Sequence, residues 1–444
     1  MIRMNWKKDS GQAQSPESET KMMNHARRMH KRMTQAGRGR AVAMGSFGCD
    51  SPFGFRPSGF VYVLACLMLL SPALASAATL RNFSSRHYHI HTDLDASLAD
   101  DLARRLDAMY EEYGRRLVEF VPREQTRFDV YLFRRQADYA AFVGPHATNT
   151  GGVFLPSRGA LAAFLENQGR DALRRTLQHE AFHQFAHAAL TPNMPVWINE
   201  GMAQLFEEGL WTGRGFVLGE VPPRRVRRLQ ADMAAHRLTP FRDFMSVNLE
   251  GWSKTLAADK EAGATQYSQA WAMVHFLVNA TDAEGHAVYR TRFIRMLRLL
   301  HEGRDGPAAF EEAFSSNIEG FQRRFVEFAR ALHATPLATL IERQQLLAEL
   351  ILVFQNQGRT FTDMDELRRA CADLRFTDAD HPDPAMCFMD AEGHVLDASR
   401  LFFEGRPQSS MPDIVCRARN RLQIRTRFQR QGTTCEHDTR LETR

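Results

Sequence analysis

The chain has 444 residues, of which 44% are hydrophobic and 25% are charged, enough for one large domain and a smaller module. Its formal net charge is +5, but the first 57 residues hold 11 Lys and Arg against 4 Asp and Glu, which leaves 46 basic and 48 acidic residues for the rest. The basic excess therefore belongs to the N-terminus. Because the remaining chain has no such surplus, we expect no nucleic-acid partner.

The first 78 residues are predicted to direct the protein to export. Residues 1–57 show no apolar period and are predicted to be disordered. An apolar run over residues 60–70 follows Arg56, and the small residues of 73–77 contain two A-x-A cleavage sites, as in a secretory signal peptide. The expected location is periplasmic or extracellular, with membrane contact only through this segment. An uncleaved anchor over residues 60–78 is the alternative.

The pattern after the leader combines strands and helices. Residues 88–91 and 128–133 are typical of strands, and residues 97–120 carry apolar side chains at helical spacing. Residues 151–165 are predicted to be two short strands around a Pro-Ser-Arg-Gly turn. The pattern from about residue 171 onward is mainly helical.

Pro336 marks the predicted end of this first domain, which covers residues 79–335. Residues 337–374 are predicted to hold one or two helices, and residues 375–444 to be rich in short strands. The expected fold class is therefore α+β, with a helical connector and a small β-rich module over residues 336–444.

Cysteines are concentrated in this C-terminal module. Beyond the leader, the chain contains Cys371, Cys387, Cys416 and Cys435. An even number in an exported chain predicts two disulfides, and the sequence leaves all three pairings open. A zinc site built from the four thiolates is the alternative, although no C-x-x-C spacing is present.

A basic stripe is predicted on a strand over residues 417–428. Alternation places five arginines on one face of this strand: Arg417, Arg419, Arg421, Arg425 and Arg427. Such a face either contacts anionic envelope polymers or acidic partners, or is simply solvated.

Residues 179–183 read His-Glu-Ala-Phe-His within a segment free of Gly and Pro. On a helix, His179 and His183 are four residues apart and lie on the same face, a spacing that allows both imidazoles to bind one Zn²⁺. Glu180 is turned by about 100° from His179, beside the metal, where it can act as general base toward the attacking water. His187 lies a further turn along the helix and is predicted to be an outer or surface residue.

A third ligand is predicted on the following helix. Ala186 and Ala189 stand where metzincins carry Gly and His, so that class is excluded. Pro195 is well suited to begin a new helix, and Glu200 projects from its first turns. Two histidines and one glutamate leave the fourth position of a single zinc ion open, which is the arrangement of a catalytic site.

These motifs resemble those of the gluzincin clan of zinc metallopeptidases. The resemblance rests on His179-Glu180-x-x-His183 followed, after 15 intervening residues, by Asn199-Glu200-Gly201. The overall layout is similar to an uncharacterised secreted bacterial branch of peptidase-like proteins. It implies a two-helix zinc site, a peptide or protein substrate, and hydrolysis of peptide bonds. The Gly-rich exopeptidase motif of the aminopeptidase branch is missing, which favours an endopeptidase. The resemblance also implies that a strand, here residues 160–165, pairs with an extended substrate.

Three further residues are candidates for supporting roles. Glu207 lies seven residues after Glu200 and is predicted to accept the outer N–H of a zinc-bound histidine, or else to be solvated. Tyr267 is predicted to stabilise the oxyanion, with His275 behind it. The competing interpretation is that both belong to a core stripe.

Two other functions remain open at this stage. A peptidase fold that lost turnover would act as a binding or scaffolding protein of the cell envelope. A zinc amidase would cleave a cell-wall bond, which the predicted cationic strand would suit. The sequence does not determine the substrate, the oligomeric state or the true start codon.

Overall fold

The computed structural model describes residues 79–121, 127–144, 150–372, 384–405, 411–418, 421–431 and 434–443. The predicted leader and signal peptide therefore lie outside the described residues. The described chain is a mixed α+β structure, in agreement with the predicted class. Within these ranges, no helix combines the length and apolar character needed to span a bilayer.

A five-stranded sheet forms the N-terminal part. Its strands are β1 (Arg81–Ser84), β2 (Tyr88–Thr92), β3 (Phe128–Phe133), β4 (Gly152–Leu155) and β5 (Ala160–Phe164), in the order β1-β2-β3-β5-β4. The three inner strands are parallel, and the two edge strands run antiparallel to them. The strands predicted at 88–91 and 128–133 and the hairpin of 151–165 are confirmed. Gly159, at φ +60°, adopts the left-handed conformation that closes this hairpin.

The prediction that residues 160–165 offer a free pairing edge is wrong. β5 lies between β3 and β4, and all five of its residues are buried. Its sequence, Ala-Leu-Ala-Ala-Phe, is uniformly apolar, as expected for a strand covered on both faces. The free edge on this side belongs to β4.

Helices cover this sheet. The helix predicted over 97–120 is α1 (Ala96–Arg116), which Asp95 caps by accepting a hydrogen bond from the Leu98 N–H at 2.9 Å. A short helix, α2 (Gln136–Val143), follows β3. The long helix α3 (Arg170–Ala189) packs against the sheet and against α1.

The central part of the chain is helical, as predicted. Its helices are α4 (Val196–Glu207), α5 (Pro223–Ala234), α6 (Phe241–Met245), α7 (Leu249–Ala258), α8 (Lys260–Asn279), α9 (Arg290–His301), α10 (Gly306–Ala313) and α11 (Ile318–Ala331). A two-stranded hairpin, β6 (Leu210–Trp211) and β7 (Phe216–Val217), follows α4. One apolar core joins these helices to α1 and α3, with α8 packed most extensively on α4.

A second apolar core forms after Pro336. Helices α12 (Pro336–Asn356) and α13 (Met364–Ala372) precede an antiparallel sheet of β8 (Leu401–Glu404), β9 (Asp413–Arg417), β10 (Leu422–Gln431) and β11 (Thr434–Thr443), in the order β11-β10-β9-β8. Gln344 ties α12 to this sheet by donating to the carbonyls of Ile414 and Ile424, at 3.0 and 3.2 Å.

The predicted disulfides are not confirmed. No disulfide bond forms among the described residues, and no group of cysteines there is close enough to hold a metal ion. Cys371, Cys387 and Cys416 are buried in the second apolar core. Burial raises the pKa of the Cys371 thiol to about 12 and that of Cys416 to about 11. These two thiols therefore stay protonated and pack as small apolar groups.

The prediction of one cationic strand over residues 417–428 is also wrong. β9 ends at Arg417, and β10 begins at Leu422 after a turn in which Arg421 has φ +61°. Arg425 forms ion pairs with Asp413 at 3.0 Å and Glu442 at 2.9 Å, and Arg427 pairs with the same two acids. Alternation of the arginines is real on β10, but carboxylates of the neighbouring strands neutralise them. Arg419 lies outside the described residues.

A buried ion cluster joins helix α3 to the C-terminal sheet. Arg174, only 4% exposed, lies 2.8 Å from Asp101 on α1 and 2.5 Å from Asp438 on β11. Asp171 adds a third carboxylate at 2.7 Å. Burial opposes ionisation of Asp438, but the charges of Arg174 and Arg440 outweigh it and lower the pKa of Asp438 to about 2.

Asp438→Asn is expected to reduce the free energy of unfolding at pH 7 by roughly 2–3 kcal/mol. A lowered pKa stabilises the fold above the unfolded-state value of about 4, and this contribution is lost as the pH falls toward 2. Urea denaturation at pH 7 and pH 3 measures the difference. Asp100→Asn, on the exposed face of α1, is the matched control. An equal effect of Asp438→Asn at both pH values would contradict this account.

Candidate metal centre

Helix α3 presents the His-Glu-x-x-His segment to helix α4. Its apolar residues Leu173, Leu177 and Ala181 pack into the sheet core, so the opposite face holds His179 and His183. Gln184 anchors the same helix to the sheet by donating to the carbonyls of Asp129, at 3.0 Å, and Gly159, at 2.8 Å.

Helix α4 brings Glu200 to the two histidines. A connection of six residues links α3 to α4, with Pro195 directly before the first residue of α4. At the other end, Gln178 of α3 donates to the carbonyls of Phe206, Glu207 and Gly209, at 3.1–3.2 Å. Because these are carbonyls that a helix leaves unsatisfied, Gln178 caps α4 and fixes it against α3.

The three side chains converge as the sequence pattern predicts. Glu200 Oε2 lies 3.3 Å from His179 Nε2, and Glu200 Oε1 lies 3.7 Å from His183 Nε2. One ligand atom from each of the three residues lies within 4.8 Å of the others. The side chains are largely buried, at 11–16% exposure. Glu200 Oε2 is buried and has no hydrogen-bond partner among the described residues.

The pKa values of His179 and Glu200 depend on each other's charge. Burial favours neutral His179, but its contacts with the carboxylates of Glu200 and Glu207 outweigh burial and raise its pKa well above the ordinary value. Burial opposes ionisation of Glu200, but the charge of His183 and that of His179 lower its pKa. Glu200 is therefore ionised beside the positive charge of the imidazoles.

A hydrogen bond at Nδ1 orients the ring of each histidine. His179 Nδ1 donates to Glu207 Oε2 at 3.2 Å, which is the contact predicted for Glu207. His183 Nδ1 donates to Asn199 Oδ1 at 3.1 Å. Because both acceptors hold a proton on Nδ1, the Nε2 atoms are the ones that face Glu200 and could bind a metal ion. The role of Asn199 was missed, although it stands directly before Glu200 and could have been inferred from its place on the same helical turn.

The guanidinium of a neighbouring arginine holds Glu207 in place. Arg225 on α5 lies 3.7 Å from Glu207 and 2.7 Å from Glu208, and its guanidinium stacks over Trp271 at 5.5 Å. Burial opposes ionisation of Glu207, but the contact with His179 and the charge of Arg225 lower its pKa to about 2. Glu207 is therefore a permanent anion behind His179, which rules out the interpretation that it is a solvated residue.

Gly201 permits the close approach of α4 and α8. A Cβ added at this position would lie 2.5 Å from the Ala270 carbonyl oxygen and 2.5 Å from Val274 Cγ2. Any side chain here would force apart the two helices, and Glu200 is the adjacent residue. The glycine of the Asn-Glu-Gly segment thus has a packing function.

Gly201→Ala is expected to lower the free energy of unfolding by about 1–3 kcal/mol, because the methyl group overpacks a helix interface. Gly114→Ala is the matched control, since a Cβ at Gly114 in α1 meets only Val121 at 3.7 Å. Removing that helical glycine is expected to stabilise the protein by about 0.5–1 kcal/mol. Urea denaturation compares the two variants, and a neutral Gly201→Ala would disprove the close-packing argument.

Tyr267 on α8 lies close enough to Glu200 for the two side chains to interact electrostatically. Its backbone carbonyl accepts a hydrogen bond from Gln204 of α4 at 3.0 Å, and its ring forms an edge-to-face pair with Trp252 at 5.3 Å. Burial and the negative charge of Glu200 raise the pKa of Tyr267 well above its ordinary value. Its phenol therefore keeps its proton and remains a hydrogen-bond donor.

The other two histidines near the motif have different surroundings. His275 does not face the site: it is buried, stacks on Trp271 at 5.1 Å and accepts a hydrogen bond from Asn279 at 3.0 Å. Burial lowers the pKa of His275 to about 4, so it is a neutral core residue. His187 is half-buried beside the ring of Phe154, at 5.5 Å, as an outer residue.

Part of the chain matches a known family model. A family model described as "Protein of unknown function (DUF1570)" matches residues 174–295. This segment covers about a quarter of the chain and contains His179, Glu180, His183, Glu200 and Tyr267. Comparison with curated proteins finds no match.

Proposed function

We propose that this protein is a zinc-dependent peptidase of the gluzincin type, with His179, His183 and Glu200 as metal ligands and Glu180 as general base. The observation that carries the proposal is the convergence of two imidazoles and one buried carboxylate from neighbouring helices. The two-helix arrangement beside a small sheet supports the gluzincin assignment.

The donor set fits zinc. Bonds of 2.0–2.1 Å at tetrahedral angles require ligand atoms to lie about 3.4 Å apart. The two measured separations, 3.3 and 3.7 Å, bracket that value. The orphaned Glu200 Oε2 supplies the negative charge, and the occupied Nδ1 atoms leave both Nε2 atoms to coordinate. Three protein ligands leave one position open, as in catalytic zinc sites.

The surrounding residues support hydrolysis. When bound, zinc supplies Lewis acidity and lowers the pKa of a water in its open position. Glu180, next to His179 on α3, accepts the proton that the attacking water loses and delivers it to the leaving nitrogen. Tyr267 donates a hydrogen bond to the carbonyl oxygen as that oxygen gains negative charge.

An extended peptide is the substrate that the neighbouring sheet suits best. β4 is an edge strand, and it lies beside the face of α3 that carries Glu180, since the Phe154 N–H donates to Glu180 Oε2 at 2.9 Å. Edge strands bind extended peptides through backbone hydrogen bonds, which require no free chain end. We therefore favour an endopeptidase acting on exported or envelope proteins.

The amidase alternative loses its sequence support. The cationic strand that suited an anionic wall polymer is neutralised at Arg425 and Arg427 by Asp413 and Glu442. A scaffolding role without turnover gains no support from any contact among the described residues.

The test of the proposal uses the purified exported form. We expect one zinc per chain by elemental analysis and cleavage of internally quenched peptides from a random library. A chelator should abolish the cleavage, and added zinc should restore it. Zinc without cleavage of any peptide would indicate a scaffold, and absence of zinc would overturn the proposal altogether.

A further inference from the structure

Successive residues of the edge strand β4 point their backbone N–H and C=O groups in opposite directions, toward β5 or away from it. The Phe164 N–H donates to the Gly151 carbonyl, so the pair formed by these residues is hydrogen-bonded. In an antiparallel ladder such pairs alternate with pairs that are not hydrogen-bonded. Val153 and Leu155 therefore point their backbone groups toward β5, whereas Gly152 and Phe154 point theirs away from it.

The outward N–H of Phe154 is already occupied. It donates to Glu180 Oε2 at 2.9 Å. This N–H contributes nothing to the β4–β5 ladder, so its single interaction among the described residues is with the carboxylate beside the metal ligands. A donor fixed in a sheet is a rigid point of attachment, because its position is set by the neighbouring ladder bonds.

A second contact fixes the register between β4 and α3. A Cβ added at Gly152 would lie 2.6 Å from Thr176 Cγ2, so helix and strand are in direct contact there. Thr176 precedes Glu180 by four residues, about 6 Å along a helix. Gly152 precedes Phe154 by two residues, about 6.5 Å along a strand. The axial distances from Thr176 to Glu180 and from Gly152 to Phe154 are nearly equal. The Gly152–Thr176 contact therefore aligns the Phe154 N–H with Glu180.

We propose that the Phe154 backbone N–H is the positioning group for Glu180, which it holds by one carboxylate oxygen while the other accepts the proton. This inference rests on the proposed function and adds a second role for β4. The strand then borders the substrate groove and also sets the orientation of the general base. Phe154 touches neither ligand nor reacting atom, so it acts through Glu180.

The test removes this single N–H. Incorporation of the α-hydroxy analogue of phenylalanine at Phe154 replaces the amide by an ester and keeps the side chain. We expect kcat to fall about 10–100-fold, the effect of losing a hydrogen bond to a charged group. KM and zinc content should stay unchanged, because every ladder N–H is kept. The thermal unfolding temperature should fall no more than in the control ester, since any ester also weakens the preceding carbonyl, here that of Val153, as an acceptor. The probe is the quenched peptide that the wild-type protein cleaves fastest.

A second measurement is independent of turnover. In metal-free protein, the infrared difference between wild type and Glu180→Gln isolates the carboxylate band of Glu180, and the ester should shift this band. Phe154→Pro, tolerated on an edge strand, removes the same N–H if the ester protein is scarce. The matched control is an ester at Leu249, the exposed first residue of α7, whose N–H has no acceptor within its helix.

The outcomes separate the two proposals. An ester variant with unchanged kcat and an unshifted band overturns the positioning role, while loss of activity in Glu180→Gln would still support the peptidase. A raised KM at constant kcat also overturns it, since the N–H would then bind substrate. Full activity of Glu180→Gln would instead overturn the proposed function.

Discussion

Glu180→Gln is expected to lower kcat for peptide hydrolysis by about 10²–10⁴-fold while the protein keeps its zinc. Glutamine has nearly the same shape and still accepts a hydrogen bond from the Phe154 N–H through its carbonyl oxygen. It cannot take a proton from the attacking water. The loss should therefore appear in kcat, with the metal site and the fold intact.

The measurement is steady-state kinetics on one quenched peptide, together with elemental analysis of the same sample. Glu284→Gln, on an exposed loop between α8 and α9, is the matched control and should behave like wild type. If Glu180→Gln lost its zinc in parallel with its activity, the carboxylate would be a ligand and its assignment as base would be wrong.

Glu200→Ala is expected to weaken zinc binding far more than Glu207→Gln. Loss of an outer partner of a metal-bound histidine typically costs 10–100-fold in affinity, and this is the expectation for Glu207→Gln. Glu200→Ala removes the carboxylate that lies within reach of both Nε2 atoms. It leaves two neutral ligands, so its dissociation constant should rise by more than that of the Glu207 variant.

Competition with a chromophoric chelator at fixed pH gives the two affinities. Thermal unfolding provides an independent check, because a ligand at a hundred times its dissociation constant stabilises a fold by about 2.7 kcal/mol. Excess zinc should therefore raise the melting temperature of the wild-type protein and leave Glu200→Ala unchanged. Equal affinities in the two variants would place the metal, if any, elsewhere.

The sequence was sufficient to predict the centre because its geometry is local. His179 and His183 share a helical face whatever surrounds them, and Glu200 follows after a connection of only six residues between the two helices. The strands at 88–91 and 128–133 were equally accessible, since alternation and β-branched or aromatic residues identify a strand without knowledge of its neighbours.

Features that depend on distant partners could not be predicted. The order of strands decides whether β4 or β5 forms the edge, and a uniformly apolar strand gives no sign of what lies beside it. The arginines of β10 appeared cationic because the acids that neutralise them, Asp413 and Glu442, belong to the strands on either side. His275 seemed a candidate because the sequence does not show which residues of α8 face Glu200 and which pack in the core, as His275 does against Trp271.

The contact between Arg174 and Asp438 spans 264 positions of the chain. At ribosomal rates of about 5–20 residues per second, roughly ten seconds to a minute separate the synthesis of the two partners. Asp101 and Asp171 can pair with Arg174 as soon as α1 and α3 meet, whereas Asp438 joins the cluster only after β11 has been synthesised. Long-range closure of this kind places the last ion pair around α3 late in folding.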